Sequence, residues 1–147
     1  MAPWWFPTFY LSSQPHTMNA IAPIDTDLAL LIRSAPDLLE VHFKPDVTIN
    51  SAGIQRILQM RQKLTPAQQP ARVLIVLPEQ PDFDVDMITT DQYRPYPVED
   101  FTHAVAWVVH NDLGDRITRL YFAYFPPPVP TQVFRTEVEA RSWLNTQ

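Results

Sequence analysis

The chain has 147 residues, 46% of them apolar and 12% aromatic, which suits one compact domain burying about 70% of its unfolded surface and argues against intrinsic disorder. A net charge of −5 leaves no overall positive field for phosphates, so neither nucleic acid nor anionic membrane surface is an expected partner. The absence of cysteine excludes disulfides, thiolate nucleophiles and cysteine-ligated zinc or iron–sulfur clusters, and is compatible with a cytoplasmic location.

The amino-terminal stretch Met1 to Leu11 is aromatic, with Trp4, Trp5, Phe6, Phe9 and Tyr10. It is interrupted by proline and lacks the basic start of a secretory signal. Neither strand alternation nor helical spacing is visible before Met18, so residues 1–26 are expected to form an extended or flexible extension and residues 27–147 the folded domain. The longest apolar run, Ala104 to Val109, has the length of a strand and cannot span a bilayer.

Leu28 to Ser34 and Leu38 to Lys44, separated by Ala35-Pro36-Asp37, predict a hairpin. In its second strand Leu39, Val41 and Phe43 alternate with Glu40, His42 and Lys44, which assigns the first three to a core and the others to water, with His42 a surface residue. Thr48 or Asn50 then caps a helix in which Ile54, Ile57, Leu58 and Leu64 face inward, while Gln55, Arg56, Gln59, Arg61 and Gln62 face out. It ends at Thr65-Pro66, and Arg72 to Leu77 reads as a strand covered on both faces.

Pro78 to Phe101 mixes prolines, acids and a weak helical segment from about Asp84 to Tyr93. His103 to Val109 predicts a second buried strand, and Asn111 or Asp112 caps a helix with Leu113, Ile117, Leu120, Tyr121 and Tyr124 on one stripe. Pro126 to Pro130 forces an extended connection to a short strand, Thr131 to Arg135. Thr136 and Glu139 form a capping box for a last helix burying Ala140, Trp143 and Leu144. The order β-β-α-β-α-β-α-β-α predicts an α/β fold with a mixed, mainly parallel sheet of about five strands flanked by helices.

No catalytic constellation emerges. Two glycines, Gly53 and Gly114, cannot assemble a phosphate loop or a dinucleotide fingerprint. Asp82, Asp84 and Asp86 resemble the start of a calcium loop, but Met87 stands where its glycine would be and Tyr93 where its bidentate glutamate would be. His103 and His110 point to opposite faces of a regular strand and are not expected to share a metal; His110 ends the strand, where α/β folds place their sites. Ser34, Ser51 and Ser142 occupy no nucleophile elbow, and neighbours such as Glu99 and Asp100 seldom converge on one substrate. Tyr121, Phe122, Tyr124 and Phe125 spread around more than one side of their helix, so one side is core and another is available for a cavity or a second subunit.

Ala104 to Val109, Leu113 to Ile117, Pro130 to Phe134 and Glu139 to Leu144 together resemble the SpoIIAA-like group of small STAS/CRAL-TRIO-type bacterial proteins, over roughly Asp27 to Leu144. The resemblance implies a mixed sheet flanked by helices, no enzymatic activity, and a role in protein contacts or in holding an apolar ligand. In anti-sigma antagonists of this fold a phosphorylated serine follows the third strand in an Asp-x-Ser setting. Here Pro78 to Asp86 contains no serine, and Thr89 and Thr90 are the nearest hydroxyls. The expected function is a non-enzymatic, cytoplasmic interaction module without cofactor or metal, contacting a protein partner or itself. The alternative is a carrier of a small apolar ligand in a helix–sheet cavity, with Tyr121, Phe122, Tyr124, Phe125 and His110 as candidate surface.

Overall fold

The computed structural model describes residues 22–147; the aromatic segment and Met18 lie outside the described residues. A six-stranded sheet runs in the order β1 (Ile24–Asp25), β2 (Ala29–Ala35), β3 (Leu38–Phe43), β5 (Ala71–Val76), β7 (Thr102–Val108), β8 (Thr131–Phe134). The pairs β1/β2 and β2/β3 are antiparallel, and β3/β5, β5/β7 and β7/β8 are parallel. The predicted hairpin and the two shielded parallel strands are thus present. The sheet also begins earlier than periodicity suggested, because Ile24 pairs with Leu31.

The helices are α1 (Ser51–Leu64), α2 (Val85–Thr89), α3 (Val98–Phe101), α4 (Asp112–Tyr124) and α5 (Glu137–Leu144). Strands β3, β5, β7 and β8 are added in one direction across the sheet. Crossovers of one handedness then place their helices on one face. That face carries Val41, Val73, Ile75, Val105 and Trp107, packed with Ile54, Ile57 and Leu58 of α1, Met87 of α2 and Phe101 of α3. The opposite face presents Leu74, Val76, Ala104, Ala106 and Val108 to Ala140 and Leu144 of α5. Two alanines in β7 and one in α5 leave little side chain between sheet and helix, which lets them approach closely.

Both longer crossover helices start with the same device. Asn50 caps α1 by accepting from the Gly53 N–H at 2.8 Å, and Asn111 caps α4 by accepting from the Gly114 N–H at 2.7 Å. A Cβ on Gly53 would fall 2.1 Å from Leu28 Cδ1, and one on Gly114 would fall 3.3 Å from Pro81 Cγ. Close packing against Leu28 therefore accounts for Gly53, while at Gly114 a Cβ would be tight against Asn111 and Pro81. Thr48, the other candidate cap, belongs instead to β4 (Thr48–Ile49), which pairs in parallel with β6 (Asp82–Phe83). This small ladder and α3 lie in the stretch that periodicity left unresolved; elements of two to four residues are too short to show a period.

Two expectations about faces fail for the same reason. Glu40 is 6% exposed, because α5 covers its face and Arg141 donates to both of its carboxylate oxygens, at 2.8 and 3.1 Å. Alternation assigned that face to water without knowing what would lie over it. On α4 the buried residues are Gly114, Thr118 and Tyr121, while Leu113, Leu120 and Tyr124 of the expected stripe are exposed. The apolar residues there form a band wider than the contact, and the sheet takes only one edge of it.

At the carboxyl end Thr136 accepts from the Glu139 N–H at 3.3 Å and donates its hydroxyl to the Glu139 carboxylate at 2.9 Å, giving the predicted cap of α5. Arg72 closes the other end, donating to the Leu144 carbonyl at 2.9 Å, which also accepts from the Gln147 N–H at 3.1 Å.

Candidate functional site

Between the sheet, α1, α2 and α4 lies a cavity of about 50 Å3. Its walls are mostly apolar: Val41, Ile57, Ile75, Met87 and Phe122 contribute, and Trp107 stands edge-on to Phe122 with ring centroids 5.7 Å apart. Polar side chains, Arg61, Gln92, Tyr93 and Thr118 among them, also border it.

Gln92 forms the rim. Its backbone N–H donates to the Tyr121 hydroxyl at 2.8 Å, and its side-chain nitrogen donates to Ser51 Oγ at 2.9 Å and the Met87 carbonyl at 3.1 Å. Its side-chain oxygen accepts from Gln55 at 2.8 Å. One glutamine thus ties the segment after α2 to both α1 and α4. Burial pushes the Tyr121 hydroxyl up to about 12 even though the Gln92 N–H opposes the shift, so it remains a phenol throughout the neutral range.

Arg61 lies deeper and is 2% exposed. One terminal nitrogen donates to Thr102 Oγ1 at 2.8 Å, and the guanidinium carbon sits 5.7 Å from the centre of the Phe101 ring. Its Nε has no hydrogen-bond partner, and no carboxylate pairs with it among the described residues. Burial pushes its pKa below the ordinary arginine value, with the neighbouring Tyr93 acting in the opposite sense. The Tyr93 hydroxyl and Trp107 Nε1 are likewise buried without partners. Burial raises the Tyr93 pKa and outweighs the nearby Arg61 charge. Arg61 and Tyr93 therefore face one another without a well-aligned hydrogen bond, and Trp107 Nε1 has no partner, on three side chains that line one cavity.

The expectation that Arg61 faces solvent is overturned, and its position shows why. Ile54, Ile57, Leu58 and Arg61 are spaced i, i+3, i+4, i+7, so Arg61 lies on the buried stripe of α1. Its position pointed inward while its charge suggested the reverse. Trp107 was legible as core from β7, but Gln92 and Tyr93 follow α2 in irregular chain that carries no period.

Of the aromatic candidates, Tyr121 and Phe122 line the cavity. Phe125 packs on Tyr121 with centroids 5.3 Å apart, and Tyr124 is 72% exposed on the outer side of α4. His110 is exposed just beyond the carboxyl end of β7 and is not among the cavity residues. His42, placed at the surface by alternation, is half-buried and shares a 2.8 Å hydrogen bond with Glu40. The aspartate series has local structural tasks: Asp82 accepts from Thr48 at 2.8 Å and Asp84 caps α2. Thr89 donates to the Val85 carbonyl at 2.9 Å within α2. No described helix is long and apolar enough to cross a membrane.

A mixed, mostly parallel sheet flanked by helices makes this an α/β protein, an arrangement consistent with a SpoIIAA-like fold. The solved structure of an uncharacterized protein of the DUF3478 family from Shewanella loihica PV-4, which has a SpoIIAA-like fold, superposes with a TM-score of 0.54. The match covers 82% of this chain and 98% of that one at 16% identity, so it speaks for the fold alone. Residues 32–147 match the family model described as a domain of unknown function, DUF7793, and the chain belongs to that family. No curated protein matches. These findings narrow the resemblance read in the closing half of the sequence to the SpoIIAA-like fold itself; the wider STAS and CRAL-TRIO grouping is not part of them.

Proposed function

We propose that this protein is a non-enzymatic, cytoplasmic binding module that takes a small, mainly apolar molecule into the cavity beside Trp107. The observation that carries this reading is an unfilled apolar space in the core, whose walls come from the sheet and three helices. Cores are ordinarily packed with few voids larger than a water molecule. The rim favours entry near α2, since β4/β6 is a two-residue ladder and α2 has five residues. A non-enzymatic role is supported by the surroundings of Ser51, whose hydroxyl is engaged by the Gln92 amide rather than by a base.

Titration of the purified protein with 1-hexanol, followed through the Trp107 indole N–H resonance, tests this reading. A saturable shift is expected. An unresponsive resonance with both hexanol and hexanoate would refute it.

A second reading, a protein-contact module, draws on the outer side of α4, where Leu113, Leu120 and Tyr124 are 62%, 56% and 72% exposed. It predicts that Leu120→Asp abolishes a crosslink, to itself or to a partner, that the parent chain forms.

A further inference from the structure

Resting on the cavity reading, we propose that the ligand is an anion, a carboxylate on a small apolar body, and that Arg61 receives its head group, with the Tyr93 hydroxyl and Trp107 indole N–H as further donors.

The inference follows from what the cavity lacks. Arg61 Nε and Trp107 Nε1 have no aligned partner, and if the Tyr93 oxygen faces Arg61 its own O–H is left to donate, while the polar atoms of Gln92 are already engaged. A ligand that completes this set brings acceptors. The full positive charge on Arg61 has no carboxylate beside it among the described residues, so an acceptor carrying negative charge also answers the charge.

A guanidinium presents its donors in a rigid planar fork matched to a carboxylate, and it is always protonated near neutrality. Leaving such a group buried and unpaired is costly, and an apolar side chain of similar length would fill the space without that cost. Among the described residues, the other buried charge, Glu40, has its counter-ion supplied by Arg141. Structural filling therefore explains the stem of Arg61, and Thr102 and the Phe101 ring engage its head, but none of these supplies the negative charge that would answer it.

The rest of the lining fixes the remainder of the ligand. Val41, Ile57, Ile75, Met87 and Phe122 offer no acceptor or donor, so the body of the molecule is apolar. A volume of about 50 Å3 holds only a few non-hydrogen atoms. The body is therefore short, or it displaces Met87 and Phe83, which border the space.

The test compares hexanoate with 1-hexanol and hexylammonium, on the full chain and on Arg61→Met and Tyr93→Phe, with circular dichroism to confirm folding. Hexanoate is expected to bind at least ~10-fold more tightly than hexanol, as a charge-assisted hydrogen bond in a buried site implies, and hexylammonium not at all. Arg61→Met should remove the preference for hexanoate while leaving hexanol binding in place, and Tyr93→Phe should reduce it severalfold. Equal binding of hexanoate and hexanol, or hexanoate binding unchanged in Arg61→Met, would overturn the anionic ligand while leaving the cavity reading intact. Should neither compound bind, both proposals fall and the space holds only water.

Discussion

Glu40 and Arg61 are the two buried charged residues among those described, and they lie on opposite faces of the sheet. Glu40, under α5, receives two hydrogen bonds from Arg141 and shares another with His42. Arg61, under α1, receives no counter-ion and leaves its Nε unpaired. Under α5 the buried carboxylate of Glu40 has its counter-ion in Arg141, and the one buried side-chain N–H left over there among the described residues, Arg72 Nε, belongs to a guanidinium already paired with Asp37 and the Leu144 carbonyl. The face under α1, α2 and α4 is unfinished, with a void and spare donors at the same place. The contrast separates the part of the molecule that maintains the fold from the part with capacity left for something else.

The largest expected effect tests packing. Leu74, fully buried against α5, should lose about 3 kcal/mol of stability on substitution by alanine. Leu58 borders the cavity and has fewer neighbouring atoms to lose, so Leu58→Ala should cost about 2 kcal/mol. Urea denaturation measures both, and equal losses would erase the difference between the faces.

The next effect concerns the paired charge. Burial by itself would raise the Glu40 carboxyl; hydrogen bonds from Arg141, Ser34 and His42, with the Arg141 charge, overcome burial and hold it down at about 2. A depressed carboxylate stabilises the fold fully above its unfolded pKa, near the ordinary 4.5, and that contribution is lost as pH falls towards about 2. Glu40→Gln should cost about 1–2 kcal/mol at neutral pH, allowing for solvent around the partly exposed Arg141. The gap between parent and variant should close between pH 4.5 and 2 when urea midpoints are followed with pH.

The smallest effect belongs to the unpaired charge and sharpens the comparison most. Arg61→Met should change stability by no more than about 1 kcal/mol, or raise it, since the lost hydrogen bond to Thr102 is offset by relief of an unpaired buried cation. A loss as large as that of Leu74→Ala would mean that Arg61 is a structural member of the core.

Much of the architecture was legible because it repeats locally. Leu39, Val41 and Phe43 alternate, Arg72 to Leu77 is continuously apolar, and Asn50, Asn111 and Thr136 each precede a periodic run; all of these appear as strands or caps. The candidate site was legible only in part. Tyr121 and Phe122 were singled out, but Gln92 and Tyr93 sit in irregular chain, and Arg61 looked solvent-facing by residue type despite its place on the stripe.

The sequence by itself determined the longer strands and helices and how those helices begin, since these depend on side-chain spacing and on backbone groups within a few residues. Only the tertiary structure decided which charges meet. Glu40 and Arg141 are 101 positions apart and come together because α5 returns across the sheet, whereas Arg61, on the buried side of α1, meets no carboxylate among the described residues. Pairing between distant charges is a property of the assembled layers, and no local pattern encodes it.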